Sequence, residues 1–238
     1  MPAQAAIHAF LLRNTMTVTQ ALATRLSVRD FLPDPIPETL LRDILTKASR
    51  TPSGGNLQPW FVTVLTGAPL QSLIKRAAAR ALEMPKGESN EYNVYPDPLR
   101  EPYYARRFKV GEDMYKLLGI PREDKTARRA WFGNNFRFFG APVGMFCFME
   151  RDMGPAQYSD MGMFLQSVML LLREAGYDSC AQEFWAMFAA SVYAELKTPE
   201  SHQLFCGMAI GKRNPDAPVN TLVSERAPLE DFATFKGF

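Results

Sequence analysis

From Asp160 to Ala175 the chain is apolar almost all round: Met161, Met163, Phe164, Leu165, Val168, Met169 and Leu170 to Leu172 fall on every face of a helix. A helix without a polar face has to be covered on all sides. It can lie inside a large core or between two subunits, and its methionines adapt to either. At 238 residues the chain is long enough to bury a sizeable core. Val143 to Phe148 is an unbroken apolar run of strand length, which suits a strand sandwiched between layers. Leu204 to Ile210 reads as a second core strand.

The other elements follow from periodicity and punctuation. Val18, Leu22 and Leu26 mark a helix over 17–26, with Thr17 or Thr19 as N-cap. Asp34-Pro35-Ile36-Pro37 turns the chain into a helix over 38–49, whose stripe is Leu40, Leu41, Ile44, Leu45 and Ala48. Phe61 to Leu65 is expected as a central strand and Leu70 to Leu82 as a helix. Two more helical patterns, 111–118 and 123–136, are split by Gly119-Ile120-Pro121. Gly176 stops the long apolar helix ahead of a short strand. Met84 to Tyr104 has no regular pattern but holds Tyr92, Tyr95, Tyr103 and Tyr104. Loops of this length are disordered or functional, and the aromatic density opposes disorder. The segment either clamps the surface or roofs a site.

Composition excludes several function classes. A net charge of +2 gives no basic field for nucleic acid. With only His8 and His202, neither a His-rich metal site nor a Ser-His-Asp triad is expected. Cys147, Cys180 and Cys206 stand in apolar surroundings without C-x-x-C pairing, as reduced core thiols of a cytoplasmic protein do. The longest apolar run is too short to cross a bilayer, so no membrane association is expected. Residues 1–15 read as a disordered extension or a misplaced start before Met16, and 16–238 as a single domain.

Two polar clusters interrupt this apolar framework. Thr51-Pro52-Ser53-Gly54-Gly55-Asn56-Leu57-Gln58-Pro59-Trp60 joins a helix to a strand. Its glycines let a ligand approach the main chain, while Ser53, Asn56 and Gln58 supply side-chain donors and acceptors. Upstream, Arg25-Leu26-Ser27-Val28-Arg29 places two arginines four residues apart, expected on one face of a helical or near-helical turn. That pair is either a solvated basic edge or an anion clamp.

Together, Arg25 to Phe31 and Pro52 to Trp60 resemble the paired signature of the FMN-dependent nitroreductase family. Phe138-Phe139-Gly140-Ala141-Pro142, Cys180-Ala181-Gln182-Glu183 and Ser224-Glu225-Arg226-Ala227-Pro228-Leu229 extend the likeness over nearly the whole chain, toward the nitrobenzoate-reductase branch. The resemblance implies an α+β fold: three layers, α/β/α, around a mostly antiparallel sheet of four or five strands, in an intertwined homodimer. Its C-terminal arm, about 214–238, would wrap the partner.

The resemblance also implies a chemistry. FMN would be held by Arg25, Ser27, Arg29, Pro52, Ser53, Gly54, Asn56, Gln182, Glu183 and Arg226. Of these, Arg25, Ser27 and Arg226 would take the phosphate, and Arg29 would lie near the pyrimidine edge of the flavin. Many members carry Lys where this chain has Arg29, and the common pattern has Gly at Phe184. Apart from the resemblance, Glu183 reads as a surface carboxylate and Arg226 as a solvated tail charge. The implied activity is NADH- or NADPH-driven reduction of nitroaromatic or quinone-like acceptors, with no side chain as catalyst. No G-x-G-x-x-G follows a first strand, so the dinucleotide is expected in the acceptor's pocket, in a ping-pong reaction. The same scaffold also serves quinone, enone and flavin reductases and dehalogenases. A non-enzymatic FMN-binding protein is the alternative from another class.

Overall fold

A computed structural model describes residues 16–88 and 91–238; the extension expected over 1–15 lies outside them. The two apolar runs pair with each other. Strands β2 (Val143–Glu150) and β4 (His202–Gly211) form the antiparallel centre of a four-stranded sheet. β1 (Phe61–Thr66) pairs outside β2, and β3 (Asp178–Gln182) outside β4, both antiparallel. The central position expected for the Phe61 run is therefore corrected to an edge. Its burial agrees, since Phe61 is exposed and Val62 to Val64 are only half-buried.

Alternation within the apolar runs builds two cores. Val143, Met145, Cys147 and Met149 point from β2 into one cluster. There they meet Leu41 and Ile44 of α2 (Glu38–Ala48) and Met161, Phe164 and Val168 of α6 (Pro155–Glu174). Phe146 and Phe148 point the other way, onto Leu70, Leu73 and Ala77 of α3 (Gly67–Glu83) and onto Trp185 and Phe188. α7 (Ala189–Leu196) closes this second layer. Period-two geometry thus turns a uniformly apolar strand into the middle of a three-layer α+β fold. Gly207 is required at its place: a Cβ there would lie 2.3 Å from Trp185 Cδ1.

Helix α6 starts with Pro155 at its first turn. It ends at Gly176 (φ +79°), where Tyr177 N–H donates to Leu172 O at 2.8 Å. Met161, Phe164, Leu165, Val168 and Leu172 are buried, while Ser159, Gly162 and Met163 stay open on the opposite side. α1 (Val18–Thr24) carries a Thr17–Gln20 capping box.

Three expected boundaries move. Arg25 is extended (φ −67°, ψ 125°), so Arg25 to Arg29 is not a helical turn. α4 (Tyr103–Leu117) begins eight residues before the expected Gly111. Instead of one helix over 123–136 there is α5 (Lys125–Phe132), then 3₁₀ turns over 133–140 in which Phe138 and Phe139 take left-handed φ values of 49° and 53°.

Candidate functional site

The extended backbone of Arg25 to Arg29 gives its side chains a period of two. Leu26 and Val28 turn into the core, which leaves Arg25, Ser27 and Arg29 on the opposite side. The segment lies along β3 through a parallel bridge, Ser27 to Ser179, and Val28 N–H donates to Ser179 O at 3.1 Å. Asn220 fixes its far end: its side-chain carbonyl accepts from Arg29 N–H at 2.9 Å, and its amide donates to Asp30 O at 2.8 Å. Behind the strip sits Asp178, a buried carboxylate that accepts from Arg173 Nη1 and Arg213 Nε, both at 2.9 Å. This joins the end of α6 to β3 and the exit of β4. Arg213 also donates to Thr24 O at 3.2 Å, directly before Arg25.

Beside the strip, Cys180 feels both arginines. They pull its thiol pKa down, but burial outweighs them and pushes it up. Arg25 Nε is buried and has no partner among the described residues. Five positions along the parallel register from Arg25, Gln182 donates its amide to Asn135 O at 3.0 Å and Oδ1 at 3.1 Å. Those two acceptors fix the amide's orientation. They leave Gln182 Oε1 buried and without a donor. The strip therefore ends in an unused donor on a cation and begins, at the other end, in an unused acceptor.

Arg29, Asn135, Gln182 and Glu183 line a cavity of about 680 Å³. Tyr95, Tyr115, Trp131, Phe132 and Phe184 supply aromatic walls, and Lys86 and Arg107 are the other cations. Glu183 is still reached by solvent, yet desolvation pushes its carboxyl above the ordinary 4.5. The 84–104 segment has features of both its readings: Lys86, Asn93, Val94 and Tyr95 face this cavity, while Glu91 pairs with Arg151 at 2.7 Å and its carbonyl accepts from Gln203 Nε2 at 3.1 Å.

The glycine loop lies elsewhere in the protomer. Gly54 N–H donates to the buried Asp160 carboxylate at 3.2 Å, and Thr51 Oγ1 donates to Ser167 Oγ at 2.7 Å. Gly55, Asn56 and Gln58 take left-handed φ values of 57°, 59° and 49°, and Ser53 Oγ accepts from Gln58 N–H at 2.9 Å. Pro52, Gly54 and Asn56 are exposed, and none of them lines the cavity. Asp160 and Arg173 anchor the two clusters at opposite ends of α6. Thirteen residues of helix rise by roughly 20 Å. Within one protomer, Pro52, Ser53, Gly54 and Asn56 are thus not brought together with Arg25, Ser27, Arg29, Gln182 and Glu183. Arg226 is apart from both: its guanidinium donates to Ser224 and Glu225 in its own tail and lines a groove against α4.

A family model described as "Nitroreductase family" matches residues 22–212. The chain belongs to the nitroreductase family. It is 35% identical over 218 residues to the nitrobenzene nitroreductase of Ectopseudomonas oleovorans, covering 92% of this chain and 96% of that one. It is 36% identical over 217 residues to the 4-nitrobenzoate reductase of Pseudomonas putida, covering 91% and 94%. The crystal structure of the FMN and NADPH-dependent nitroreductase NfnB from Sphigopyxis sp. strain HMH superposes with a TM-score of 0.91. That match is 48% identical and covers 93% of this chain and all of the other. The four-stranded antiparallel sheet between helical layers is the nitroreductase fold.

This nitroreductase also holds polar residues that motif reading passed over. Asn135, Lys86 and Arg107 line the cavity but come from an irregular turn, a loop and a helix with no apolar stripe. Asp160 did leave a signal: it is a lone carboxylate at the head of an otherwise apolar helix, and such a group is buried only when it has a donor to meet.

Proposed function

We propose that this protein is an FMN-dependent NAD(P)H oxidoreductase that reduces nitroaromatic compounds to nitroso and hydroxylamine products. It works as a cytoplasmic homodimer formed from single domains over 16–238. The reading is carried by the unpaired ends of the strip. A buried guanidinium N–H without an acceptor and a buried amide oxygen without a donor are both costly. One ligand with an anion at one end and a ring N–H at the other would satisfy them together, and FMN has that form. Bound FMN supplies the capacity to take a hydride from the nicotinamide and pass it to the nitro compound.

The protein's residues supply placement and charge. Arg25 and Ser27 hold the phosphate, Arg25 through a fork suited to phosphate oxygens. Gln182 accepts from the ring, with Asn135 locking its orientation. Arg29 keeps a cation that does not titrate near neutral pH where negative charge accumulates on reduction. The cavity's aromatic walls stack a planar acceptor and exclude water around it. Donor and acceptor use that cavity in turn, so double-reciprocal plots with both substrates varied give parallel lines.

Dimerisation completes the site. A two-fold axis across α6 sets the glycine loop of one protomer, with Pro52, Ser53, Gly54 and Asn56, opposite the strip and cavity of the other. The open edge of α6 at Ser159, Gly162 and Met163 supports this pairing. So do Phe232 and Phe235 in the tail, 71% and 66% exposed here, because large apolar groups of this kind mark contact surfaces. The arm over 214–238 wraps the partner, and in the dimer Arg226 turns to the phosphate.

A visible spectrum of the purified protein before and after anaerobic NADPH tests the assignment. Flavin bands that bleach are expected, whereas a colourless protein that cannot be loaded with FMN would refute it. Arg25→Met removes charge-assisted hydrogen bonds of roughly 1.5–3 kcal/mol, so FMN should bind about 10- to 150-fold more weakly.

A further inference from the structure

We propose that Lys86 and Arg107 form an anion-selecting mouth to the cavity, which makes the preferred acceptors nitroaromatics bearing an anionic substituent, a carboxylate or phenolate. The inference rests on the nitroreductase reading and narrows its substrate class. Relatives of this chain divide on this point, one being named for neutral nitrobenzene and another for 4-nitrobenzoate.

The charges lining the cavity are uneven. Arg29, Lys86 and Arg107 face it with Glu183 as the one carboxylate among the described residues, and desolvation raises that carboxyl's pKa above its ordinary value. Yet the whole chain carries a net charge of only +2, so this excess is local.

Two of the basic residues near Arg107 are neutralised where it is not. Around Arg107 on α4, Arg106 pairs with Asp231 at 3.6 Å, and Lys109 pairs with Asp113 at 2.7 Å and Glu225 at 3.1 Å. The acidic Glu112 of α4 is taken by Arg128 at both oxygens. Arg107 instead lies over the Tyr95 ring, its Cζ 4.3 Å from the centroid, and has no ion pair among the described residues. Contact with the ring face holds the guanidinium at the cavity, and its N–H groups, without an ion pair among the described residues, can meet a carboxylate.

The turn that carries Lys86 is held by the backbone of the next two residues. Gly87 N–H donates to Met84 O at 3.0 Å and Glu88 N–H to Met187 O at 2.8 Å. Gly87 has φ +101°, and a Cβ there would lie 2.9 Å from Met187 O, so glycine is needed for the turn to seat. The nearby Glu88 carboxylate is taken by Arg80 at 3.0 Å and by Ser191 through two contacts at 2.8 Å. Among the described residues Lys86 has no ion pair, and Glu183 is the one carboxylate that shares its cavity. Met187 belongs to the Glu183–Met187 turn that lines the cavity, so the turn that carries Lys86 is tied to the cavity wall.

A cation about 6 Å from a carboxylate at an intermediate effective dielectric changes binding by roughly tenfold. The test uses the FMN-loaded enzyme with 4-nitrobenzoate and its methyl ester, which differ in charge and share the nitroarene. In Lys86→Met and in Arg107→Met, the kcat/KM ratio of acid to ester should fall about tenfold, and further in the double variant. The loss should lie in KM, because the carboxylate is bound equally before and during reaction. Added salt should lower the wild-type ratio and leave the double variant's nearly flat. Equilibrium dialysis of 4-nitrobenzoate against the oxidised enzyme, without a reductant, should show the same weakening.

An unchanged acid-to-ester ratio in the double variant overturns the proposal. So does a fall in the NADPH-to-NADH ratio with no change in acid-to-ester ratio, since the two cations would then be serving the dinucleotide's 2′-phosphate. If the wild type fails to reduce even the ester, the nitroreductase reading itself is what has failed.

Discussion

Asp178 offers a direct test of how the strip from Arg25 to Arg29 is supported. Its carboxylate is buried at 3% exposure and meets two guanidiniums whose side chains are 15% and 28% exposed. Asp178→Ala strands both cations. Breaking a buried ion pair from one side costs about 3–5 kcal/mol. Arg213 keeps some access to water, so the lower end, about 3 kcal/mol, is expected. For a domain of this size each kcal/mol lowers Tm by about 2–4 °C, giving a drop of about 6–12 °C by circular dichroism at a fixed FMN concentration. Asp178→Asn keeps the volume and one acceptor and should lose roughly half as much. Arg213 also holds Thr24, so FMN affinity should fall with Tm although Asp178 touches no ligand. A double-mutant cycle with Arg213→Met should give a coupling above about 1 kcal/mol. A Tm within about 2 °C of wild type for Asp178→Ala, or no coupling, would refute the view that this carboxylate ties α6, β3 and β4 together.

Two other changes test the wall and the core. The pKa of Glu183 is raised in the folded state, so the unfolded chain gives up its proton first as pH climbs. Its contribution to stability is therefore complete below the ordinary carboxyl value of 4.5 and is lost as pH rises through the elevated folded value. Glu183→Gln should match wild type in urea denaturation near pH 4 and be more stable near pH 7; a wild-type advantage at pH 7 would contradict the desolvated placement. Gly207→Ala drives a methyl to within 2.3 Å of the buried Trp185 ring and should cost about 1–3 kcal/mol, with a shift in tryptophan fluorescence as the indole moves.

The sequence made the centre of the fold legible and its edges less so. Val143 to Phe148 and Leu204 to Ile210 announce buried strands because apolar runs admit few other uses. The edge position of Phe61 to Thr66 depends on which neighbours β2 accepts, which no local pattern states. α4 buries no residue, so it leaves no apolar stripe, and its first eight residues lie outside the helix expected from Gly111. Arg25, Ser27 and Arg29 were found as a cluster for a reason that needed correction. Spacing suggested a helical face for the two arginines alone, while the core's demand for Leu26 and Val28 imposes an extended strip, and only that extended strip adds Ser27 to the same side. Lys86 and Arg107 were invisible because their meaning lies in which acids are already occupied, a fact of long-range contacts.

Placing the two clusters at opposite ends of α6 also has a genetic consequence. In the proposed dimer each pocket would draw one cluster from either protomer, so Arg25→Met and Asn56→Ala would be lesions of different halves. Each alone impairs both pockets of its dimer. Co-expressed, the two defective chains form mixed dimers in which one pocket inherits both lesions and the other inherits neither. With random pairing, about a quarter of all pockets would be intact. Two inactive alleles would rescue each other, which two lesions within the same cluster could never do.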